Sequence, residues 1–529
     1  MLRISKAVQG GFALIFLLVM ISAVVRGFIK YSPAAIAFTV VCGMVFTAGV
    51  ILIYGFLKKK TVRLTRKQID KIFIVIAAAV LVLQLISAFY LKFTPVSDLG
   101  YVDRAARDFC LTWDKSDLYN NLPERHMDYF VRYPNNQALL VILSLVYSLC
   151  RNVSGVMPLA APILLNTIGL NVSFIFLYLI SKKISRDKFT PLFCAVIGAG
   201  FSVFYTYTPY FYTDSMSMPW VMASIYMFLS GMENKSVKKS VVQLLFSGLF
   251  LVIGCKIKGS VIILIPAFLL YLIYFCTKLN RKAYFRSACV LLSGIVIASA
   301  ASSAFIKSFD LADKQELEEI KFPPTHWVMM GLHDRGGFYL DDYWFTVNSG
   351  DYDQKKEANL NEIKKRISDY GLFGMMKHLA KKISWTWGDG TYFIGYYLGL
   401  DKKYGGEATM LKNFVTGNIV FKWYCSVYQF MLLAMITFSF AVGAFSGRTD
   451  GKEILLKIII CGVFVFFVIW ETRSRYLVNF SPLFIMASAS SIKAAYAVLI
   501  RRFSDHKTIE IRRSCLLYTS PSPRDRSVS

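Results

Sequence analysis

The sequence is poor in the residues that several structural classes require. Ten cysteines occur in 529 residues, and none form a CxxC pair, which excludes a disulfide scaffold and argues against metal or redox use. The 33 glycines have no period, which excludes a collagen-like chain. Acidic residues are also scarce, because 33 Asp and Glu face 60 Lys and Arg and leave a net charge of +27.

Hydrophobic residues, in contrast, make up 55% of the chain and aromatic residues 15%, which excludes a disordered chain. The positive charge alone would fit a nucleic-acid binder or a membrane protein with basic inner loops. Twelve apolar runs approach the roughly 20 residues that a spanning helix needs. They are residues 12–26, 33–57, 72–89, 159–180, 191–204, 218–232, 241–254, 261–276, 288–306, 424–445, 455–470 and 477–500.

A thirteenth apolar run, residues 138–149, is shorter than the others. If it crossed the membrane, three basic loops, at residues 182–188, 235–239 and 278–286, would lie outside, against the preference of Lys and Arg for the inside. We therefore interpret residues 138–149 as a re-entrant or interfacial helix. The predicted fold is an all-α polytopic membrane protein with about twelve transmembrane helices, this extra helix and a small extracytoplasmic domain.

Four segments and a tail follow from this topology. They are a two-helix segment with a basic loop (1–71), a transmembrane core (72–306) with a first outer loop (91–158), an outer loop domain (307–422), C-terminal helices with a basic end (423–514) and a tail (515–529). The tail reads CLLYTSPSPRDRSVS, which we interpret as non-native, adapter-like sequence. The outer loops are nearly neutral, with seven acids against six bases in residues 91–136 and sixteen against fifteen in 307–420, so the surplus charge marks inner loops and not a nucleic-acid surface.

Two carboxylates are candidates for chemistry because each follows an outward span. Asp98 could act as a general base towards an acceptor hydroxyl or could hold a metal; alternatively, Ser97 or Asp98 caps the following helix. Asp214 could be a second acidic site for the acceptor or a metal; alternatively, it caps the next span.

Basic and polar groups on the same predicted side could contact a phosphate. The donor-binding candidates are Arg132, Asn135, Lys256, Lys258, Arg473 and Arg475. The alternatives are an interfacial role for Arg132 and an ion pair of Glu471 with a neighbouring Arg. Tyr212, His326 and Glu471 are further candidates, although a lone His such as His326 is more often structural.

The order of several short motifs resembles the GT-C membrane glycosyltransferases. The pieces are PVSD (95–98), RYPNN (132–136), YTDS (212–215), THWVMMGL (325–332) and ETRSRYL (471–477). They are similar to the bacterial branch related to dolichyl-phosphate-mannose protein mannosyltransferases and to aminoarabinose lipid A transferases. The resemblance covers about residues 72–502.

This resemblance implies a polyprenyl-phosphate-sugar donor, inverting hexosyl or pentosyl transfer on the extracytoplasmic face of the cell membrane, and Asp98 as the catalytic base. The acceptor would be a glycan, a lipid or a protein of the cell envelope. Many relatives carry Asp-Glu at the first site, whereas here Leu99 follows Asp98, and relatives often place a basic residue before the proline that Tyr133 precedes here. No cofactor is therefore certain, and a divalent metal at Asp98 and Asp214 stays open.

Two other functions remain open from the sequence. A lipid-linked glycan ligase or polymerase would also use a large late outer loop. A flippase or transporter is disfavoured, because the spans carry few charges and show no paired halves.

Overall fold

The computed structural model describes residues 2–27, 33–119, 128–276, 281–403, 406–446 and 451–518. Within these ranges the regular secondary structure is helical. Residues 519–529, most of the tail interpreted as non-native, lie outside the described residues.

The first half of the chain forms fourteen helices in the described ranges. They are α1 (Leu2–Gly27), α2 (Pro33–Thr61), α3 (Arg66–Tyr90), α4 (Ser97–Thr112), α5 (Tyr129–Arg132), α6 (Gln137–Ser154), α7 (Ala160–Ile184), α8 (Thr190–Ala199), α9 (Val203–Thr206), α10 (Thr213–Met216), α11 (Met218–Glu233), α12 (Val237–Ile257), α13 (Leu264–Cys276) and α14 (Arg281–Lys307). Short 3-10 turns at Lys115–Tyr119, Pro134–Asn136 and Gly259–Ile263 lie between them.

The second half of the described chain contains the predicted outer domain (307–422) and three further long helices. Its elements are α15 (Lys314–Ile320), α16 (Thr325–Gly331), α17 (Leu340–Val347), α18 (Tyr352–Trp387), α19 (Ile394–Lys403), α20 (Met410–Gly417), α21 (Ile419–Ser446), α22 (Glu453–Ile469), the 3-10 turn Ser474–Phe480 and α23 (Ser481–Tyr518).

Helices α3 and α7 pack against each other in opposite directions. Asp70 near the start of α3 accepts from Lys182 near the end of α7 at 2.7 Å. Further along, the buried amide of Asn171 donates to the side-chain oxygen of Gln84 at 3.0 Å. Polar pairs of this kind hold helices together where the surroundings are apolar. Both ends of residues 91–159 therefore lie on one side of the bundle.

Helix α6 packs alongside α4 on that side of the bundle. The hydroxyl of Tyr147 donates to buried Asp103, and the guanidinium of Arg107 donates to the Met157 carbonyl just beyond α6 at 2.6 Å. A complete crossing by α6 would place the two ends of residues 91–159 on opposite sides. A re-entrant or interfacial α6 would leave both ends on the same side. The antiparallel packing of α3 and α7 fits this second case.

A broken helix returns the chain to the same side. The amide of Asn166, in the first turns of α7, donates to the carbonyls of Tyr207 and Thr208 at 2.8 and 2.9 Å. Helix α8 begins near the other end of α7. Although α8 has ten residues, α8 and α9 together run back along α7, a helix of 25 residues or about 37 Å.

The predicted number of twelve spans is not confirmed. Ten helices in the described ranges are long and apolar enough to cross a membrane, by length and composition alone. Three predicted spans correspond to shorter helices, since α8, α11 and α22 have 10, 16 and 17 residues. Pro134–Ser154, which contains the predicted dipping helix, is among the ten.

The outer domain rests directly on the end of α22. A Cβ atom on Gly331 would lie 2.7 Å from the carbonyl oxygen of Ile469, so this contact requires glycine. The buried ammonium of Lys382 donates to the carbonyls of Gly331 and Val468 at 2.7 and 2.9 Å. These contacts hold the outer domain against the end of α22.

Candidate active site

Asp98 is presented by a tight turn at the start of α4. Ser97 has a φ of 56°, a conformation that costs energy for a residue other than glycine and is often found at functional sites. A Cβ atom on Gly100 would lie 2.6 Å from the Pro95 carbonyl oxygen, so the chain can fold back here because residue 100 is glycine. Val96 is the N-cap and no side chain caps the helix, which contradicts the alternative that Ser97 or Asp98 is a cap.

Arg475 joins the two predicted carboxylates. Its Nη2 atom lies 3.8 Å from Asp98 Oδ2, and its Nε atom lies 3.7 Å from Asp214 Oδ2. The guanidinium also donates to the hydroxyls of Tyr210, at 2.6 Å, and of Tyr397. With a side chain 6% exposed, Arg475 is a buried cation held by both acids.

Lys258 supplies a second cation to the same cluster. It follows the last residue of α12 and forms an ion pair with Asp214 Oδ1. Its ammonium also lies 4.5 Å from the ring centroid of Tyr476, where the face of the ring attracts a cation. Burial lowers the pKa of Lys258, and the negative charge of Asp214 opposes that effect.

The two carboxylates differ in access. The side chain of Asp98 is 39% exposed, whereas that of Asp214 is 1% exposed. Neither α10 nor α11 has a side-chain cap hydrogen bond, which contradicts the cap interpretation of Asp214. Asp214 is therefore a buried partner of two cations, and Asp98 is the carboxylate that a substrate can reach.

Tyrosine and asparagine side chains hold Asp98 in place. The Tyr129 hydroxyl donates to Asp98 Oδ1 at 3.2 Å, and the Asn136 amide donates to that hydroxyl at 2.8 Å. Tyr212 in turn donates to Asn136 Oδ1 at 3.2 Å. Burial and the charge of Asp98 raise the pKa of both Tyr129 and Tyr212, so these hydroxyls keep the protons with which they donate.

Asp98 and the three side chains that hold it in place, those of Tyr129, Asn136 and Tyr212, line one cavity of about 470 Å³. Its polar side includes Asp98, Asn135, Lys258, Glu471 and Arg475. Its apolar side includes Ile262, Trp327, Phe466, Phe467 and Trp470. The rings of Trp327 and Trp470 stack at 5.7 Å between centroids, so the outer domain closes part of the cavity.

Glu471 lines the same cavity as Asp98 and is a second acid there. Its carboxylate accepts from the Tyr476 hydroxyl at 3.1 and 3.2 Å, and its backbone N–H donates to the Trp327 carbonyl at 2.9 Å. Burial raises the pKa of Glu471, while the charges of Arg473 and Arg475 oppose that effect. Glu471 therefore holds a proton more readily than an exposed glutamate does.

Three of the predicted donor-binding cations, namely Arg132, Lys256 and Arg473, do not line this cavity. Arg132 forms an ion pair with Asp128 at 2.8 Å and donates to the Tyr343 hydroxyl. Lys256 donates to Ser303 at 2.8 Å. Helix α12 ends at Ile257, and this places Lys256 and Lys258 in different surroundings.

Arg473 and His326 also lie outside the lining. The Arg473 guanidinium packs over the Phe393 ring at 5.5 Å. His326 is buried in the outer domain and shares a hydrogen bond with Thr346 at 2.7 Å. Burial lowers the pKa of His326 to about 3, so it is neutral at ordinary pH.

The two aspartates do not form a metal site in this arrangement. A divalent cation between Asp98 and Asp214 would occupy the place of the Arg475 guanidinium and would lie close to Lys258 as well. Across the described ranges, no group of three or more His, Cys, Asp or Glu could hold a metal ion. The positive charge at this site comes from the chain itself.

Sequence reasoning missed three tyrosines of the cluster. Tyr129 and Tyr210 lie near the predicted motifs, but Tyr397 comes from the outer domain. No short pattern relates Tyr397 to Arg475, since 78 residues separate them. A search for tyrosines near each predicted motif could have found the first two.

The chain belongs to a family described as conserved hypothetical integral membrane protein, whose model matches residues 3–496. This membership confirms that the chain is an integral membrane protein, and the regular secondary structure of its described residues is helical. A search of curated proteins finds no match.

Three solved structures of an oligosaccharyltransferase from Archaeoglobus fulgidus are similar to part of the fold. One, AglB with an inhibitory peptide and a dolichol-phosphate, is 14% identical with a TM-score of 0.41, over 81% of this chain and 52% of that chain. A second, with Zn and sulfate, is 16% identical with a TM-score of 0.45, over 83% and 51%. A third, tethered to an acceptor peptide containing the NVT sequon, is 13% identical with a TM-score of 0.42, over 80% and 50%.

The chain spans about half the length of these oligosaccharyltransferases. TM-scores this low define neither the activity nor the ligands of the present chain.

Proposed function

We propose that the chain is a GT-C-type membrane glycosyltransferase that moves a sugar from a polyprenyl-phosphate donor to an acceptor hydroxyl. One observation carries this proposal: an accessible carboxylate, two buried cations and an apolar wall line the same cavity. Transfer of a phosphate-linked sugar needs these three elements, namely a base, positive charge for the leaving group and a surface for the lipid.

Asp98 is the base in this proposal. Its exposed oxygen takes the proton of the acceptor hydroxyl while the acceptor oxygen forms a bond to the anomeric carbon. The donation from Tyr129 orients the carboxylate without protonating it. Attack from the face opposite to the phosphate inverts the anomeric centre.

Lys258 and Arg475 stabilise the leaving group. As the bond between the anomeric carbon and the phosphate oxygen breaks, charge develops on the phosphate. Cations already fixed near that oxygen lower the barrier without reorganising, which is the strongest form of electrostatic catalysis. Both cations are held in place by Asp214.

The apolar side of the cavity suits the prenyl chain. Ile262 borders the cavity and is 51% exposed, in the 3-10 turn that begins the candidate span Gly259–Cys276. A lipid can therefore remain in the bilayer while its phosphate reaches Lys258. With the basic loops assigned to the cytoplasm, this cavity opens on the extracytoplasmic face.

The Asp98→Asn variant tests the proposal. It keeps the shape of the side chain and removes the base, so transfer should fall by about 10²- to 10⁴-fold. The readout is mass spectrometry of envelope glycans in a deletion strain that expresses the variant at the level of the natural chain. Asp114→Asn, in an exposed residue of the same outer loop, is the matched control and should transfer normally. Normal glycans with Asp98→Asn would refute the role of Asp98.

A further inference from the structure

A second cavity lies at the other end of the bundle. Its volume is about 650 Å³, larger than that of the Asp98 cavity. The start of α3, the ends of α7 and α11 and the residue before α22 form its walls. Helix α3 begins here and ends close to the Asp98 turn, and its 25 residues extend about 37 Å. The two cavities therefore lie at opposite membrane faces.

The lining of this second cavity is basic. Its ten lining residues include the five cations Arg66, Lys182, Lys183, Arg186 and Lys452. Glu233 is the one acid among the lining residues that the structure describes, and it pairs with Lys183 at 2.8 Å and with Lys452. Asp70, behind the lining, pairs with Lys182 at 2.7 Å. In the described part of the chain, five lining cations thus lie near the two acids Glu233 and Asp70.

Helix dipoles do not explain this excess. Lysines at the end of α7 do offset the partial negative charge of a helix C-terminus. Arg66 and Lys452, however, lie at the starts of α3 and α22, where the helix dipole disfavours a cation. These four helix ends and their side chains therefore give the cavity a basic lining among the residues that the structure describes.

The cavity also has an apolar side. Leu179 lies one helical turn deeper in α7 than Lys183, and Ile184 and Tyr226 line the cavity as well. The Lys183 ammonium lies 5.0 Å from the centroid of the Tyr226 ring. Leu179 and Tyr226 lie further from the helix ends than the basic residues do, which matches the order of headgroup and acyl chain in a lipid.

We infer that this basic cavity binds the phosphate-bearing headgroup of an anionic lipid in the leaflet opposite to the Asp98 cavity. Basic pockets between transmembrane helices on the cytoplasmic side are suited to such headgroups. Arginine contributes paired donors that match phosphate oxygens. This site does not depend on the proposed sugar transfer, because it lies at the other membrane face.

Lipid retention by the full chain in nanodiscs tests the inference. Nanodiscs of phosphatidylcholine alone are compared with nanodiscs that also contain phosphatidylglycerol, and native mass spectrometry counts the lipids retained. The natural chain should retain phosphatidylglycerol selectively. Arg66→Gln with Arg186→Gln should weaken that retention about thirtyfold, at about 1 kcal/mol for each cation lost. Lys452→Gln alone, a milder second variant, should weaken it about fivefold.

The control removes equal charge from the same face. Lys238→Gln with Lys239→Gln alters two exposed lysines that do not line the cavity, and selective retention should persist. Equal losses in the control and the cavity variants would show general surface attraction and overturn the inference. No selectivity in the natural chain would also overturn it. Displacement of phosphatidylglycerol by inorganic phosphate at low concentration would assign the cavity to free phosphate instead.

Discussion

The cavities at the two ends of α3 both contain several cations, but they hold them differently. At the Asp98 cavity, Arg475 and Lys258 are buried and each contacts a carboxylate. At the basic cavity, Lys182 is 40% exposed, and the described lining contains five cations and the acid Glu233. A buried charge must be paired inside the protein, whereas an exposed charge is stabilised by water and can bind an anion from outside the protein. The same residue types therefore build a fixed site at one face and an open one at the other.

The largest effect should follow removal of the buried guanidinium. Arg475→Met leaves Asp98 and Asp214 without their shared cation, and breaking a buried pair on one side costs about 3–5 kcal/mol. Transfer should disappear together with much of the stability. The thermal unfolding midpoint in detergent, with envelope glycan analysis, measures both. A variant as stable as the natural chain would show that this cluster is not a paired buried network.

His326 should make the stability of the outer domain depend on pH. The pKa of His326 is lowered to about 3, so the unfolded chain binds more protons than the folded chain between that value and about 6.5. The contribution to stability is complete above pH 6.5 and is lost as the pH falls towards 3. At pH 5 the loss should be about 2 kcal/mol, at about 1.4 kcal/mol per pKa unit.

Unfolding midpoints of the natural chain and of His326→Gln across this range measure the effect. The glutamine can hydrogen bond to Thr346 but does not titrate, so its pH slope should be smaller by about one proton. Identical slopes in the two proteins would contradict a neutral buried His326.

A smaller effect should follow loss of an exposed ion pair. Lys182→Gln removes the pair with Asp70, in which both side chains are 40% exposed. Such pairs contribute about 0–1 kcal/mol. The unfolding midpoint should barely move, in contrast with Arg475→Met. A loss as large as that of Arg475→Met would erase the difference between the two cavities.

The smallest effect should be that of a chelator. Arg475 and Lys258 already lie beside the carboxylates of Asp98 and Asp214. Sugar transfer measured in membranes should therefore be unchanged when EDTA is added. Sugar transfer in washed membranes, with and without EDTA and added Mg²⁺, measures this. Loss of transfer in EDTA and its restoration by Mg²⁺ would show that a metal ion takes part.

The sequence allowed much of the membrane core and part of the site to be predicted, because those features depend on local composition. Apolar runs locate the helices, and the distribution of Lys and Arg places Asp98, Asp214, Lys258 and Arg475 on one side. The number of spans was not confirmed, since α8 and α9 cross as a broken helix and α11 and α22 are short. Hydropathy does not reveal such breaks.

The partners of individual cations were harder to predict. Lys256 and Lys258 are two residues apart, yet they diverge because α12 ends between them. Arg132 faces Tyr343 of the outer domain, and Tyr397 of that domain faces Arg475. These contacts depend on how a distant segment packs, which local patterns do not encode.

The hydrogen bond between Gln84 and Asn171 has a consequence for both membrane faces. Apolar helices can slide or rotate past each other at little cost, but a buried amide pair has one vertical alignment in which both side chains are satisfied. This pair therefore fixes the position of α3 along its axis relative to α7. One inserted residue before Gln84 would turn the rest of α3 by about 100°. Helix α3 would then no longer set both the depth of the Asp98 turn and the position of the basic cavity.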